Sequence, residues 1–334
     1  MLDKPRDVRL TLDGPLQATV AQALNQRAAS VHAPGGAAVV VDVATGAVLA
    51  SASYPWPALD ESDEAGPPAP AELLDRGRYG LYPPGSTFKL IAAAAALTEE
   101  GAARTPTFVC ERLQDGRVGA HVRGASRPIR DDLTDTTPHG RVDLRKGLVV
   151  SCNAYFAQLA LHLGPLAISR AAAPPQIQVS STPASLRGTL PYAGYGQGEV
   201  LASPLRMARA VAAIAGNGVI HEAGLVQPEA KITATSQPWL RAPDAAFLRS
   251  AMREVVTSGT GHVLASHPVA IAGKTGTAEV QGALSHSWFV GFAPADAPRI
   301  AFAVVVENAG YGGRVAAPLA GDIVSAARAT GVIR

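Results

Sequence analysis

Three short segments of this 334-residue chain carry side chains whose types and spacing suit chemistry on an acyl group. The first is Ser86-Thr87-Phe88-Lys89. Helix positions three apart share a face, with Cβ atoms about 5–6 Å from each other, so the Ser86 hydroxyl is expected beside the Lys89 amine. A serine is a poor nucleophile until a neighbouring base takes its proton. A lysine can be that base when burial or a second cation depresses its pKa, and a helix start adds partial positive charge that favours the developing anion. The second segment is Ser151-Cys152-Asn153, behind the apolar Leu148-Val149-Val150. The third is Lys274-Thr275-Gly276-Thr277. Glycine on a strand lets a ligand backbone come close, and an ammonium with two hydroxyls suits a carboxylate.

Each segment also has an ordinary reading: a helix surface pair, a polar helix cap and the polar face of an edge strand. Their joint occurrence outweighs it. Ser-x-x-Lys, Ser-x-Asn and Lys-Thr-Gly each occur once, in that order, and this set is the signature of penicillin-binding proteins and class A β-lactamases. Lysine is also scarce, five against 24 arginines. Arginine stays protonated, whereas lysine can be made to lose its proton, so the few lysines are where base chemistry is to be sought.

Composition narrows the rest. Hydrophobic residues make up 47% and charged residues 17%, enough for a sizeable core and too apolar for disorder. A net charge of +2 argues for neither nucleic acid nor an acidic partner. Cys110 and Cys152 are too few for a disulfide framework; they read as two buried free thiols, with a single bridge as the alternative. His262 and His267 lack Cys or acidic companions at ligand spacing, so no metal and no other cofactor is expected. No run of about 18 apolar residues exists to span a membrane, and Met1–Arg6 lacks the apolar stretch of a signal peptide. Either the protein is soluble or an anchor lies outside this sequence.

The elements that must hold these groups follow from periodicity and punctuation. Leu16, Val20, Leu24 and Ala28 predict a helix over 15–31, capped by Asp13. Ala37–Val43 and Ala47–Ser53 predict a hairpin about Ala44-Thr45-Gly46. Residues 60–72 are acidic and proline-rich, a surface loop. Phe88–Thr98 predicts a buried helix, 104–140 reads as turn-rich, and 142–252 as mainly helical. Val269–Val280, Ser285–Ala293 and Arg299–Glu307 predict strands, and 316–329 a closing helix. Strands at both ends with helices between them predict one α+β domain over 1–334, with a sheet layer from about 1–110 and 265–334 and a mainly helical part over about 111–264.

The chain resembles the transpeptidase domain of class B penicillin-binding proteins over nearly its whole length. The likeness rests on Leu10-Thr11-Leu12-Asp13 (an opening strand), Thr45–Ala50, Tyr82–Lys89, Gly196-Gln197-Gly198, Ser203-Pro204-Leu205, Gly259-Thr260-Gly261, Ala272–Glu279 and Trp288–Pro294. It implies a five-stranded antiparallel sheet flanked by helices plus an all-helical subdomain, with the cleft between them. It further implies Ser86 as nucleophile, Lys89 as its base and Ser151 as proton relay to the leaving amine. Asn153 would hold the substrate amide, and Lys274, Thr275 and Thr277, with Gly276 between them, would bind the terminal carboxylate. The Ser86 and Thr277 N–H groups would form the oxyanion hole. The implied activity is D,D-transpeptidation of peptidoglycan stem peptides ending in D-Ala-D-Ala, with inhibition by β-lactams. Cell elongation or division outside the cytoplasmic membrane, beside a membrane glycosyltransferase, would be its setting. The family's N-terminal membrane helix and pedestal have no counterpart in these residues. Cys152, at the variable middle position of its motif, is expected to change little, and Tyr192 and Tyr195 are not counted as cleft residues.

Four rivals come close to these motifs. A class A β-lactamase needs a glutamate after the second motif, and residues 154–198 contain no Asp or Glu. A class D-like enzyme would carry an apolar residue where Asn153 stands. A D,D-carboxypeptidase passes the acyl group to water, and a β-lactam receptor domain does not turn over at all; the class B flanks favour the transpeptidase over both.

Overall fold

The computed structural model describes residues 7–57, 69–180, 182–227 and 235–334. Most of the expected loop at 60–72, and the start at 1–6, therefore lie outside the described residues.

Asp13 accepts the Leu16 N–H at 2.9 Å and starts α1 (Gly14–Ser30), whose Leu16, Val20, Leu24 and Ala28 are buried. The hairpin β1 (Gly36–Asp42) and β2 (Val48–Tyr54) turns where the Asp42 carboxylate accepts the Ala44 and Thr45 N–H groups. A 3₁₀ turn over Gly85–Phe88 runs straight into α2 (Lys89–Glu99), buried from Lys89 to Leu97. Four short strands follow: β3 (Phe108–Arg112), β4 (Val118–Ala120), β5 (Ile129–Arg130) and β6 (Gly140–Val142). The helical stretch comprises α3 (Leu144–Val149), α4 (Asn153–Ala172), α5 (Pro183–Ala193) and α6 (Pro204–Ala215). A small hairpin, β7 (Val219–His221) and β8 (Ser236–Pro238), precedes α7 (Ala242–Thr257). Then β9 (Ala272–Val280), β10 (Ala283–Ala293) and β11 (Ile300–Val306) lead to α8 (Ala316–Ala329).

The central sheet has the order β2-β1-β11-β10-β9 with every pair antiparallel. Its middle strand, Ile300-Ala301-Phe302-Ala303-Val304-Val305-Val306, is buried at all seven positions. That continuous apolar run marks a strand covered on both faces. Alternation divides it. Phe302, Val304 and Val306 pack with Val40 against α1 and α8, while Ala301, Ala303 and Val305 pack with Val39 and Val41 toward α2 and α6. Among the described residues no helix is long and apolar enough to cross a membrane.

Three local expectations need correction. The opening strand at Leu10 is a single bridge to Val226. The turn-rich 104–140 folds into a four-stranded sheet, β5-β4-β3-β6, whose strands are too short to show a period. The helical stretch is interrupted by β7 and β8, and α4 breaks at Gly164 (φ 80°), where Pro165 removes a backbone donor.

Two glycines lock the 3₁₀ turn into place. Gly85 sits at φ 52°, and a Cβ there would meet Thr277 O at 2.8 Å. The Gly85 N–H donates to Gly196 O at 3.0 Å, and a Cβ on Gly196 (φ 76°) would stand 2.1 Å from Gly85 O. Gly196→Ala should therefore push the Ser86 turn off β9. It should lower stability by about 2 kcal/mol from the strained backbone alone, measured by denaturant unfolding. A variant as stable as the parent would contradict this close approach.

Candidate active site

Ser86 lies on the 3₁₀ turn and Lys89 begins α2, its N–H bonded back to Ser86 O. The two share one turn, as the spacing predicts, while the Ser86 hydroxyl, expected beside the Lys89 amine, makes no hydrogen bond to it. The contacts of the Lys89 amine are tertiary. Fully buried, it donates to Ser151 O, to Ser151 Oγ at 3.1 Å and to Asn153 Oδ1 at 2.7 Å, with its Nζ 5.7 Å from the Phe156 ring centroid. Lys274, also fully buried, donates to the same Ser151 Oγ at 2.8 Å and to Thr275 O at 3.1 Å. Ser151 itself holds φ 59°, an uncommon conformation for a residue with a side chain. It joins α3 to α4 and turns Ser151 and Asn153 toward Lys89.

The electrostatics follow from burial. Loss of water lowers the Lys89 pKa to about 8, with the charge of Asp131 opposing the drop. Burial, and then the neighbouring charge of Lys89, hold Lys274 well below the usual lysine range. Two amines sharing one hydroxyl without water cannot both keep a proton cheaply.

Thr275 and Thr277 line the same cleft as Ser86, Ser151 and Asn153, a cavity of about 780 Å³. Thr275 Oγ1 pairs with Thr260 Oγ1 at 2.6 Å, and Thr277 Oγ1 accepts the Gly312 N–H at 3.3 Å. Gly276 faces away, and a Cβ there would collide with Thr87 and Trp288. Trp288 is buried and donates to Pro83 O at 3.1 Å, a packing role. His286 accepts the Asn308 N–H at 3.1 Å and meets Tyr82 edge-on.

Residues 36–325 match the model of the penicillin-binding protein transpeptidase domain. The chain belongs to that family. It is 30% identical to the peptidoglycan D,D-transpeptidase MrdA of Acinetobacter baumannii, across 93% of this chain and 52% of that one, so it spans about half the relative's length. Penicillin-binding protein A from M. tuberculosis, solved as a ceftriaxone acyl-enzyme complex, has the same fold, with a TM-score of 0.80 at 28% identity, covering 96% of this chain and 79% of that one. A chain from a structure of polymerization and crosslinking by a peptidoglycan synthase complex gives a TM-score of 0.79 at 28% identity, covering 96% and 62%.

The transpeptidase-family cleft also contains residues that the motifs do not announce. Tyr192 and Tyr195 line it, as do Arg127, Arg314 and Thr260. Thr260 carried a signal in Gly259-Thr260-Gly261, and Tyr192 and Tyr195, set aside in the sequence reading, do reach the cleft, from the last turn of α5 and just beyond it. Asp131 has none. It is 3% exposed and accepts the Asn153 N–H and, at 3.1 Å, the Ala154 N–H on Oδ1. It thereby anchors the start of α4 that carries the second motif.

The other oxygen of Asp131 faces a cluster assembled from separate segments. Cys110 Sγ, Cys152 Sγ and His139 Nδ1 lie 3.0, 3.2 and 3.1 Å from Asp131 Oδ2. The four ligand atoms are within 4.8 Å of one another. Cys152 is thus not neutral filler: its Sγ accepts the Tyr155 N–H at 3.3 Å and caps α4. Two thiolates, an imidazole and a carboxylate are a tetrahedral Zn²⁺ donor set. Zinc here would tie β3, the segment after β5 and the start of α4 together, a structural role. His262 and His267, the histidines that sequence reading weighs, bond to Thr257 O and to Val269 O instead. Purified protein saturated with zinc should retain about one equivalent. Chelation should lower Tm by about 5–15 °C, as expected for losing a ligand held at 100–1,000 times its Kd. Elemental analysis and a thermal scan check this, and metal at background level would remove the cluster as a zinc site.

Proposed function

We propose that the cleft is the acyl-transfer site of a D,D-transpeptidase. The observation that carries this reading is Ser151 Oγ held between two buried amines, Lys89 at 3.1 Å and Lys274 at 2.8 Å, in the cleft that Ser86 lines. Lys89 in its neutral form takes the Ser86 proton as Oγ attacks the carbonyl of the penultimate D-Ala. The oxyanion forms against the Ser86 and Thr277 N–H groups, preorganised by the contact of the Gly85 turn with β9. Ser151 passes a proton to the leaving D-Ala, and Asn153 orients the donor amide. The terminal carboxylate binds Thr275, Thr277 and Lys274. That anion favours charge on Lys274, and a charged Lys274 in turn pushes Lys89 toward its neutral, basic form.

The acyl group then passes to an amine of a second stem peptide. Reaction on peptidoglycan places the domain at the extracytoplasmic face of the membrane, with a glycosyltransferase as the partner that supplies glycan strands. The similarity to a chain of a peptidoglycan synthase complex supports that partnership. β-Lactams acylate the same serine, as the acyl-enzyme complex of the M. tuberculosis relative supports. A thioester analogue ending in D-Ala should be turned over, and a D-amino acid acceptor should raise the rate and appear in the product. Mass spectrometry of the products distinguishes the readings: hydrolysis alone, unaffected by acceptor, would establish a carboxypeptidase.

A further inference from the structure

The acyl-transfer steps use neither cysteine, yet both thiols sit against the second motif. Cys110 is 1% and Cys152 0% exposed, and their sulfurs are within 4.8 Å of each other on the same oxygen of Asp131. Cys152 stands between Ser151 and Asn153 and caps α4 through its sulfur. Ser151 is held at φ 59°, and Asn153 is fastened to Asp131 through its N–H. A displacement of the Cys152 sulfur therefore displaces the groups that Lys89 and Lys274 bind.

We propose that Cys110 and Cys152 form an oxidation site. A small peroxide closes them into a disulfide when no metal fills the cluster, and closure withdraws Ser151 and Asn153 from the cleft. The effect on catalysis rests on the acyl-transfer reading above. In the first step the Cys110 sulfur attacks one peroxide oxygen, the O–O bond breaks, and hydroxide leaves with the thiol proton as water. In the second step Cys152 sulfur attacks the Cys110 sulfenic acid, the S–S bond forms, the S–O bond breaks, and the second water departs with the Cys152 proton. Two thiols lose two electrons and the peroxide gains them. The two sulfurs, now within 4.8 Å of each other, must close to a bond of about 2.05 Å, and a disulfide has no S–H left to donate to Asp131 Oδ2. Closure therefore draws the Cys152 sulfur from Asp131 Oδ2 and the Tyr155 N–H. Peroxide is the class of oxidant that fits, since the thiols lie directly behind the cleft wall at Asp131 and Asn153, where a bulky disulfide has no room. A tetrahedral metal ion would keep both sulfurs as separate ligands and prevent the attack.

The full chain, stripped of metal or saturated with Zn²⁺, is treated with hydrogen peroxide, then read by peptide mass mapping and by its rate of labelling with fluorescent penicillin. The metal-free sample should yield a Cys110–Cys152 cross-linked peptide and label about 10²-fold more slowly, the cost of misplacing catalytic groups by about 1 Å. A phosphine reductant, which leaves oxidised methionine untouched, should restore the rate. The zinc-saturated sample should show neither change. Cross-linked protein that labels at full speed, sulfinic acids in place of the cross-link, or the same cross-link with zinc present would overturn the proposal. Untreated protein that does not label would instead refute the acyl-transfer reading, and the peptide map would still decide the thiol chemistry.

Discussion

A short pulse of penicillin should leave one adduct, on Ser86, that persists for minutes or longer. Ser86 belongs to the single Ser-x-x-Lys of the chain. Release of the acyl group requires a base to activate water, and among the described residues the one cleft-lining carboxylate without a hydrogen-bond partner is Glu279, which is exposed to solvent. Residues 154–198 have no acid, and Glu199, the next one, accepts from Ser180 and is not among the residues lining the cleft. Of the acids that do line it, Asp131 is held by backbone N–H groups, Asp132 by Thr134 and Asp135 by His139, 3.7 Å away. Glu279 is exposed near the end of β9. A β-lactam also keeps its leaving group tethered, which blocks an incoming amine. Intact-protein mass spectrometry over time, with peptide mapping of the label, measures this. Recovery of the unmodified mass within seconds would show an efficient β-lactamase, and label on another serine would remove Ser86 as nucleophile.

The second large effect is expected at Lys89. Lys89→Arg keeps the charge and the hydrogen-bond donors but cannot lose its proton, so acylation should fall by about 10²–10⁴-fold, the range of a lost general base. In the parent protein, Lys89 is lowered to about 8, and the neutral form is the active one. The second-order acylation rate should therefore climb about tenfold per pH unit below that value and level off above it. Lys274→Arg should retain more acylation than Lys89→Arg, because carboxylate binding needs the charge at that position and not its loss. Stopped-flow acylation of the two variants and a pH profile of the parent test this. Equal loss in both variants, or a flat profile between pH 6 and 9, would contradict separate roles for the two lysines.

Several parts of this protein were legible without coordinates, for a common reason. Ser86 and Lys89 share one helical turn, Asp13 caps α1 from three residues away, and Ile300–Val306 is apolar at every position of a strand. These features depend on neighbours in sequence, where spacing dictates geometry. The seven-residue and longer strands of the central sheet were visible for the same reason. The two- and three-residue strands between Val118 and Val142 were not, since a period cannot show itself in so few positions.

Tertiary structure alone decided the chemistry of the lysines and the surroundings of the second motif. Nothing in Ser-x-x-Lys says that Lys89 will be fully buried beside Lys274, and it is that burial that brings its pKa toward neutrality. Asp131 looks like any acid in a turn-rich segment, yet it holds the start of α4 with one oxygen and gathers Cys110, His139 and Cys152 on the other. The two cysteines stand 21 residues to either side of it, a separation that no local rule connects. Sequence determined which groups are present and which of them share a turn. The packing of the small sheet against α4 determined which groups meet, because contacts between segments far apart in the chain are set by the fold and not by spacing.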